Sequence, residues 1–146
     1  RWVNLLVVAL FAIVCWGKLV YVSVDYLVEE VLNPMTFPVE AVRVMNELDT
    51  EGQLFNEYDW GGYLSWWAQD TPIYIDARAD LFGDEFIFRW NGLCEGTEDW
   101  QTEFEKWGIT QAMLAANRPL VRELENHPDW DVVYSDEIVV LLMKKY

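Results

Sequence analysis

One histidine and two cysteines in 146 residues exclude several chemistries at once. A Ser-His-Asp or Cys-His set needs a histidine beside a nucleophile. The one histidine, His127, stands before Pro128 near the end of an expected helix and reads as a C-terminal helix residue rather than a ligand or base. No nucleophile-elbow motif is present, so nucleophilic hydrolysis is not expected. Cys15 lies in a hydrophobic stretch and Cys94 in the aqueous part; two free thiols and no zinc site are expected. Basic residues are also scarce, ten against twenty-five acidic, for a net charge of -15. A phosphate backbone demands a basic footprint, so nucleic acid is excluded as a partner, and close docking on anionic lipid heads is disfavoured. The acidity reads as a solvated face, or as a surface for a cation or cationic partner. The GxGxxG fingerprint and the final Lys-Ser/Thr of a P-loop are both missing, and no cofactor is expected.

Apolar residues are plentiful, at 53% with 16% aromatic, which is incompatible with disorder. Residues 2–17 hold Asn4 as the only strongly polar side chain, and after Lys18 the apolar character resumes to Val24. As one span this crosses a bilayer core of about 30 Å at about 1.5 Å per residue, with Trp16, Tyr21 and Tyr26 as interfacial aromatics. The expectation is a transmembrane helix with an extracytoplasmic extension over residues 1–33, in a chain cut from a longer protein. A signal peptide is disfavoured by the lack of a small-x-small site, and a lipid anchor at Cys15 by bulky Val14; a buried core helix stays open. Arg1 before the span and Asp25, Glu29 and Glu30 after it place the downstream part outside the cytoplasm.

Pro34 ends the extension, and a soluble domain is expected over residues 37–146. Val39, Val42, Met45 and Leu48 recur at helical spacing. A strand at QLFNEY, a helix in DWGGYLSWWAQD and a second strand at IYID follow. Next come an aromatic region, EFIFRWNGL, and a helix over 97–107 capped by Thr97 and closed by Gly108. A strand at ITQAMLAA, a helix opened by Pro119 and a hairpin turning at 135–137 complete the chain. The fold class is α/β: a mixed sheet covered by helices, with the C-terminal β-hairpin adding an antiparallel edge.

Two clusters stand out. At Asn56, Asp59, Trp60, Gly61 and Gly62 a strand runs into a helix through a polar double-glycine turn. Amides at that helix start suit an anion or carbonyl oxygen, while the structural alternative makes Asp59 a cap and the glycines a relief of crowding. Asp76, Arg78 and Asp80 follow the second strand, at the kind of strand end where α/β sites lie; the structural alternative is an ion-pair network. Divalent-metal binding would require Asp76, Asp80 and Asp84 to converge, with Arg78 opposing it. Seven tryptophans in the domain suit a core, or stacking on sugar faces or a membrane interface.

LFNEYDWGGYLSWW followed by PIYIDARADLFGDEF resembles the C-terminal extracytoplasmic domain of bacterial polytopic membrane proteins similar to GT-C type, oligosaccharyltransferase-like glycosyltransferases. Ala77 stands where that pattern often has glycine. The resemblance covers about residues 37–144. It implies an accessory domain at the bacterial cytoplasmic membrane, on its outer side, joined to upstream transmembrane helices of the parent protein and assisting acceptor-peptide or glycan binding. Catalytic acids of such enzymes lie in early loops, so no catalytic residue is expected here. The alternative is a structural or interaction module packing against a membrane-protein partner.

Overall fold

A computed structural model of the chain describes residues 7, 10–13, 37–48, 51–68 and 70–145. It divides into two units, Arg1–Thr36 and Phe37–Tyr146. In the first, the described residues are helical and exposed. The expected N-terminal transmembrane helix is corrected: among the described residues no helix is long and apolar enough to cross a membrane. In the sequence the uninterrupted apolar run ends before Lys18, and a helix of that length would rise only about 24 Å, short of a bilayer core of about 30 Å. The remainder of the expected span, with its extension and linker, lies outside the described residues, as does Cys15.

The second unit has the expected α/β class. Its elements are α1 (Val39–Glu47), β1 (Gln53–Asn56), a 3-10 turn (Tyr58–Trp60), α2 (Gly61–Trp67), α3 (Ala79–Phe82), α4 (Asp84–Cys94), α5 (Trp100–Trp107), β2 (Ile109–Ala115), α6 (Pro119–Glu125), β3 (Trp130–Ser135) and β4 (Val139–Lys144). The sheet order is β1-β2-β4-β3. β1 and β2 are parallel, and β4 is antiparallel to both β2 and β3. The last hairpin thus supplies both an inner strand and the edge, because β4 inserts beside β2.

Strands β1, β2 and β4 are buried on both faces, while the edge strand β3 is largely exposed beyond Trp130. Leu54 and Phe55, successive in β1, point to opposite sides: Leu54 joins a core with Val42, Met45 and Leu64, and Phe55 one with Leu93, Phe104 and Leu124. That is why β4 reads as the continuous apolar run VVLLM rather than an alternation. Helices α1 and α2 therefore cover one face, and α4, α5 and α6 the other. On α1, Ala41, Val42 and Met45 form the buried stripe while Arg43 pairs outward with Glu40 and Glu47 at 2.9 Å each.

Two local expectations change. IYID forms no strand; only Ile73 bridges Leu54. Two backbone bonds accompany that bridge, from the Leu54 amide to the Pro72 carbonyl and from the Tyr74 amide to the Leu54 carbonyl (2.8 Å each); beyond it the Asn56 side chain takes over, Oδ1 accepting from the Tyr74 and Ile75 amides (3.1 and 3.3 Å) and Nδ2 donating to the Ile75 carbonyl (2.8 Å). At Ile75 a side chain thus stands in for further backbone pairing. The aromatic segment EFIFRWNGL lies within α4. The cap of α5 is Asp99, whose Oδ1 accepts from the Gln101 and Thr102 amides (3.1 and 3.3 Å), whereas Thr97 donates back to the Gly92 carbonyl (3.1 Å). Gly108 does close α5, in the left-handed conformation at φ 63°. His127 falls just beyond α6, with Nδ1 accepting from the Asp129 amide (3.3 Å) and its ring edge-on to Trp100.

Candidate functional site

The carboxyl end of β1 carries the first expected cluster. Asn56 is completely buried and spends its amide internally: besides the bonds to Tyr74 and Ile75, Nδ2 donates to the Glu57 carbonyl at 2.8 Å. Its own carbonyl accepts from the Trp90 indole N–H at 2.9 Å. Glu57, also buried, receives a bidentate pair from Arg118 (2.7 and 2.8 Å) and the Ala115 amide (3.1 Å). Arg118 reaches Glu95 as well, at 2.7 Å, and lies over the Trp90 ring. The carboxylates flanking this guanidinium, Glu57 foremost, hold its pKa above the usual arginine value. Sequence reasoning gave Arg118 no role, because its partner stands 61 residues away.

The remaining residues of the two clusters divide. Trp60 is buried in the α1–α2 core, whereas Asp59 is exposed and caps nothing: α2 begins at Gly61 with no side-chain capping bond. Gly61 abuts the second cluster, since a Cβ there would lie 2.4 Å from Asp76 Cα and 2.6 Å from the Ile75 carbonyl. The glycine is what lets α2 start against that backbone. Gly62 has open space around it. Asp76 is buried and clamped by Arg78, whose Nε reaches both carboxylate oxygens (3.0 and 2.9 Å) and whose Nη2 completes the pair. Hydrogen bonding from the Arg78 side chain, opposed by burial, holds the Asp76 carboxyl below its ordinary value. Arg78 and Asp80 are exposed. So the structure brings Gly61 to Asp76, seals Asn56, Trp60 and Asp76, and leaves Asp59, Gly62, Arg78 and Asp80 at the surface. Among the described residues no three His, Cys, Asp or Glu side chains are grouped to hold a metal. A cavity of about 450 Å³ does lie here, between Glu57, Asp59, Glu95, Asn117 and Arg118, but its charged floor is already paired.

The opposite end of the same strand pair is different. A groove of about 910 Å³ opens where β1 begins at Gln53 and α5 passes through Gly108 into β2. Three tryptophans line it: Trp66 at 75% exposure, Trp67 at 46% and Trp107 at 41%. Two of them are visibly fixed. Asn46 Nδ2 donates to the Trp67 carbonyl at 2.8 Å, and Tyr63 packs on the Trp67 ring. The Trp107 indole N–H donates to buried Glu103 at 2.7 Å, with Tyr74 and Phe86 edge-on to its ring. Glu103 also accepts from the Tyr74 hydroxyl at 3.0 Å, and Arg89 and Lys106 stand 3.6 and 3.5 Å away. Burial pushes the Glu103 carboxyl up, but the bonds from Trp107 and Tyr74 and the two cations outweigh it and leave the pKa lowered. Polar groups on Asn46, Glu51, Gln53, Asp70 and Thr71 complete the groove. Sequence reasoning placed these tryptophans on two helices without bringing them to a common site. The adjacent pair Trp66-Trp67 was the available signal, since neighbours in a helix diverge by about 100° and cannot both face one core.

The chain matches no protein-family model, no curated protein and no solved structure.

Proposed function

We propose that the domain is a non-catalytic glycan-binding module, an accessory part of a glycosyltransferase-like membrane protein acting outside the cytoplasm. The observation that carries this reading is the groove between α1, α2 and α5, where three exposed indoles meet a polar rim. Exposed large apolar side chains held in place cost hydration without contributing to a core. Indole faces take up the C–H faces of sugar rings, while carboxylates, amides and hydroxyls beside them accept and donate to sugar hydroxyls. Groove volume and mixed lining match a small-ligand site. The resemblance of Phe55 to Glu85 to glycosyltransferase-associated domains supports the same assignment.

Titration of the full chain with neutral oligosaccharides, read by tryptophan fluorescence and calorimetry, tests it. Saturable binding that falls at least about tenfold in Trp67→Ala and in Trp107→Ala is expected, as stacking residues at the centre of a site carry most of its energy. No saturable signal from any oligosaccharide refutes it. The second reading, an interaction module for a protein partner, draws on Leu81 and Phe88, which are 67% and 73% exposed on α3 and α4.

A further inference from the structure

Independently of the groove, we infer that the outer edge of β3 is a self-association surface, on which a second copy of this chain pairs antiparallel and joins two four-stranded sheets into one. The two edges of the sheet are treated differently. Along β1, residues 72–75 cover the edge: Ile73 bridges Leu54, the Leu54 amide donates to the Pro72 carbonyl, and the Tyr74 amide donates to the Leu54 carbonyl, at 2.8 Å each. β3 pairs with β4 alone, and among the described residues the backbone of 131–135 makes no hydrogen bond outside that pair. A row of unpaired amides and carbonyls is a template for another strand. Its sequence, WDVVYS, has neither proline nor lysine, the residues that commonly guard an edge, and Val132 and Val133 stand 44% and 39% exposed. The one charge in the strand, Asp131, is held by Lys145 at 3.1 Å. The shift of register between Val132 and Tyr134 bends the strand, confining a partner to a short stretch, which suits one closed pair rather than a growing run.

Charge at the two ends of β3 is what selects a second copy. At its start Lys144 lies opposite Trp130, exposed and paired with no carboxylate among the described residues. At its end the hairpin turn carries two acids. Asp136 is used internally, accepting from the Tyr134 hydroxyl and from the Ile138 and Val139 amides at 2.8, 2.8 and 2.9 Å. Glu137 is exposed and makes no ion pair among the described residues. An antiparallel copy sets the start of each strand beside the end of the other, so Lys144 of each copy comes to Glu137 of the other. The edge is thereby its own complement, as a two-fold interface requires. The net charge of -15 opposes association, but at physiological ionic strength that repulsion is screened beyond about 8 Å, leaving the contacts at the edge to decide.

Sedimentation velocity of the full chain as a concentration series tests this, together with single cysteines placed along residues 131–135. In the cysteine series Cys15→Ser removes the one thiol besides buried Cys94. A monomer–dimer equilibrium is expected. Directly opposite residues of an antiparallel pair lie about 4.5–5.5 Å apart at Cα, within disulfide reach. Oxidation should therefore give covalent dimers from one or two adjacent positions of the series and none from Asp80→Cys. Val133→Lys sets like charges across the two-fold axis and should weaken the dimer at least about tenfold. Lys144→Glu should weaken it about fivefold, because the pair occurs twice, and adding Glu137→Lys to the same chain should restore it. Circular dichroism checks that these variants fold, and the cysteine series gives its answer without them. A chain that stays monomeric at every concentration overturns the inference. A dimer that survives Val133→Lys, or that cross-links equally from Asp80→Cys, also overturns it, since association would then run through another surface. Failure of the double charge reversal to restore the dimer overturns the antiparallel arrangement on which the choice of a second copy rests.

Discussion

The adjacent glycines at the start of α2 should respond in opposite directions to the same substitution. In Gly61→Ala the new Cβ would sit 2.4 Å from Asp76 Cα and 2.6 Å from the Ile75 carbonyl oxygen, both backbone atoms. Ordinary carbon contacts lie at about 3.5–4.0 Å, so helix and backbone must part by about 1 Å. A shift of that size breaks the bonds that Asn56 makes to Ile75, now 2.8 and 3.3 Å. Overpacking of this kind costs about 1–3 kcal/mol, and each lost hydrogen bond about 1 kcal/mol more. We expect Gly61→Ala to lose about 3 kcal/mol, a large share of the roughly 5–15 kcal/mol that holds a domain folded. Gly62 has no atom within 4 Å of its virtual Cβ and is exposed, so Gly62→Ala should gain about 0.5–1 kcal/mol from helix propensity. Urea unfolding followed by circular dichroism measures both, with midpoints moving by about 2 M downward and about 0.5 M upward at ordinary slopes. A Gly61→Ala midpoint within about 0.3 M of the parent would refute the close-approach reasoning. A clearly destabilised Gly62→Ala would show that the second glycine is required for something other than packing.

Three further outcomes follow from the buried polar groups. Gln111 is fully buried in β2, and among the described residues neither its Oε1 nor its Nε2 has a hydrogen-bond partner; Gln111→Met should therefore stabilise by about 1–2 kcal/mol in thermal melts, and a loss would mean the amide is satisfied. Arg118→Met leaves Glu57 buried and unpaired and should cost about 3 kcal/mol, whereas replacing Glu57 by Gln in the same chain should recover part of that loss; a double variant no better than the single one would refute the pairing. Glu103 and Asp76 both have lowered folded pKa values, so their contribution is complete above the unfolded carboxylate pKa of about 4 and is lost as pH falls through the folded values. Glu103→Gln keeps an acceptor for Trp107 but cannot titrate, so its urea midpoint should fall less between about pH 6 and about pH 3; an unchanged acid dependence would exclude Glu103 as a contributor.

Much of the fold was legible because its signals are local. The apolar spacing from Val39 to Met45, Pro119 at the first turn of α6, and Gly108 after α5 each act within one turn of chain. The failures came where a distant partner decides. IYID has strand-forming residues, yet its backbone pairs with β1 only around Leu54, and at Ile75 the side chain of Asn56, 19 positions upstream, takes both backbone groups. Asp99 rather than Thr97 caps α5 because Thr97 is engaged by the end of the preceding helix. Glu57 and Arg118 could not be linked from sequence, since only the parallel pairing of β1 with β2 brings them together.

The same contrast between local and distant partners separates the two ends of the β1–β2 pair. Ligands in α/β sheets commonly lie beyond the carboxyl ends of the strands, where helix starts and loop polar groups are free to turn outward. In this domain those groups are consumed: Asn56 by three backbone neighbours, Glu57 by Arg118 and the Ala115 amide, and Asp76 by Arg78. The start of α2, the other expected anchor, is pressed against Asp76 by the absence of a side chain at Gly61. Each unusual residue of the two clusters that is buried thus has an internal use, and the motif's distinctive sequence is accounted for by packing. At the amino ends, by contrast, Trp67 and Trp107 are positioned by bonds from Asn46 and to Glu103 while large parts of their surfaces remain open. Rigid aromatic surface that the fold holds but does not bury is better suited to a ligand than a paired ionic floor, because binding there requires no internal bond to be broken first. A ligand at the carboxyl end would have to displace Arg118 or Arg78 from buried carboxylates, at a cost of the order of 3–5 kcal/mol for an uncompensated buried charge, before gaining any contact of its own.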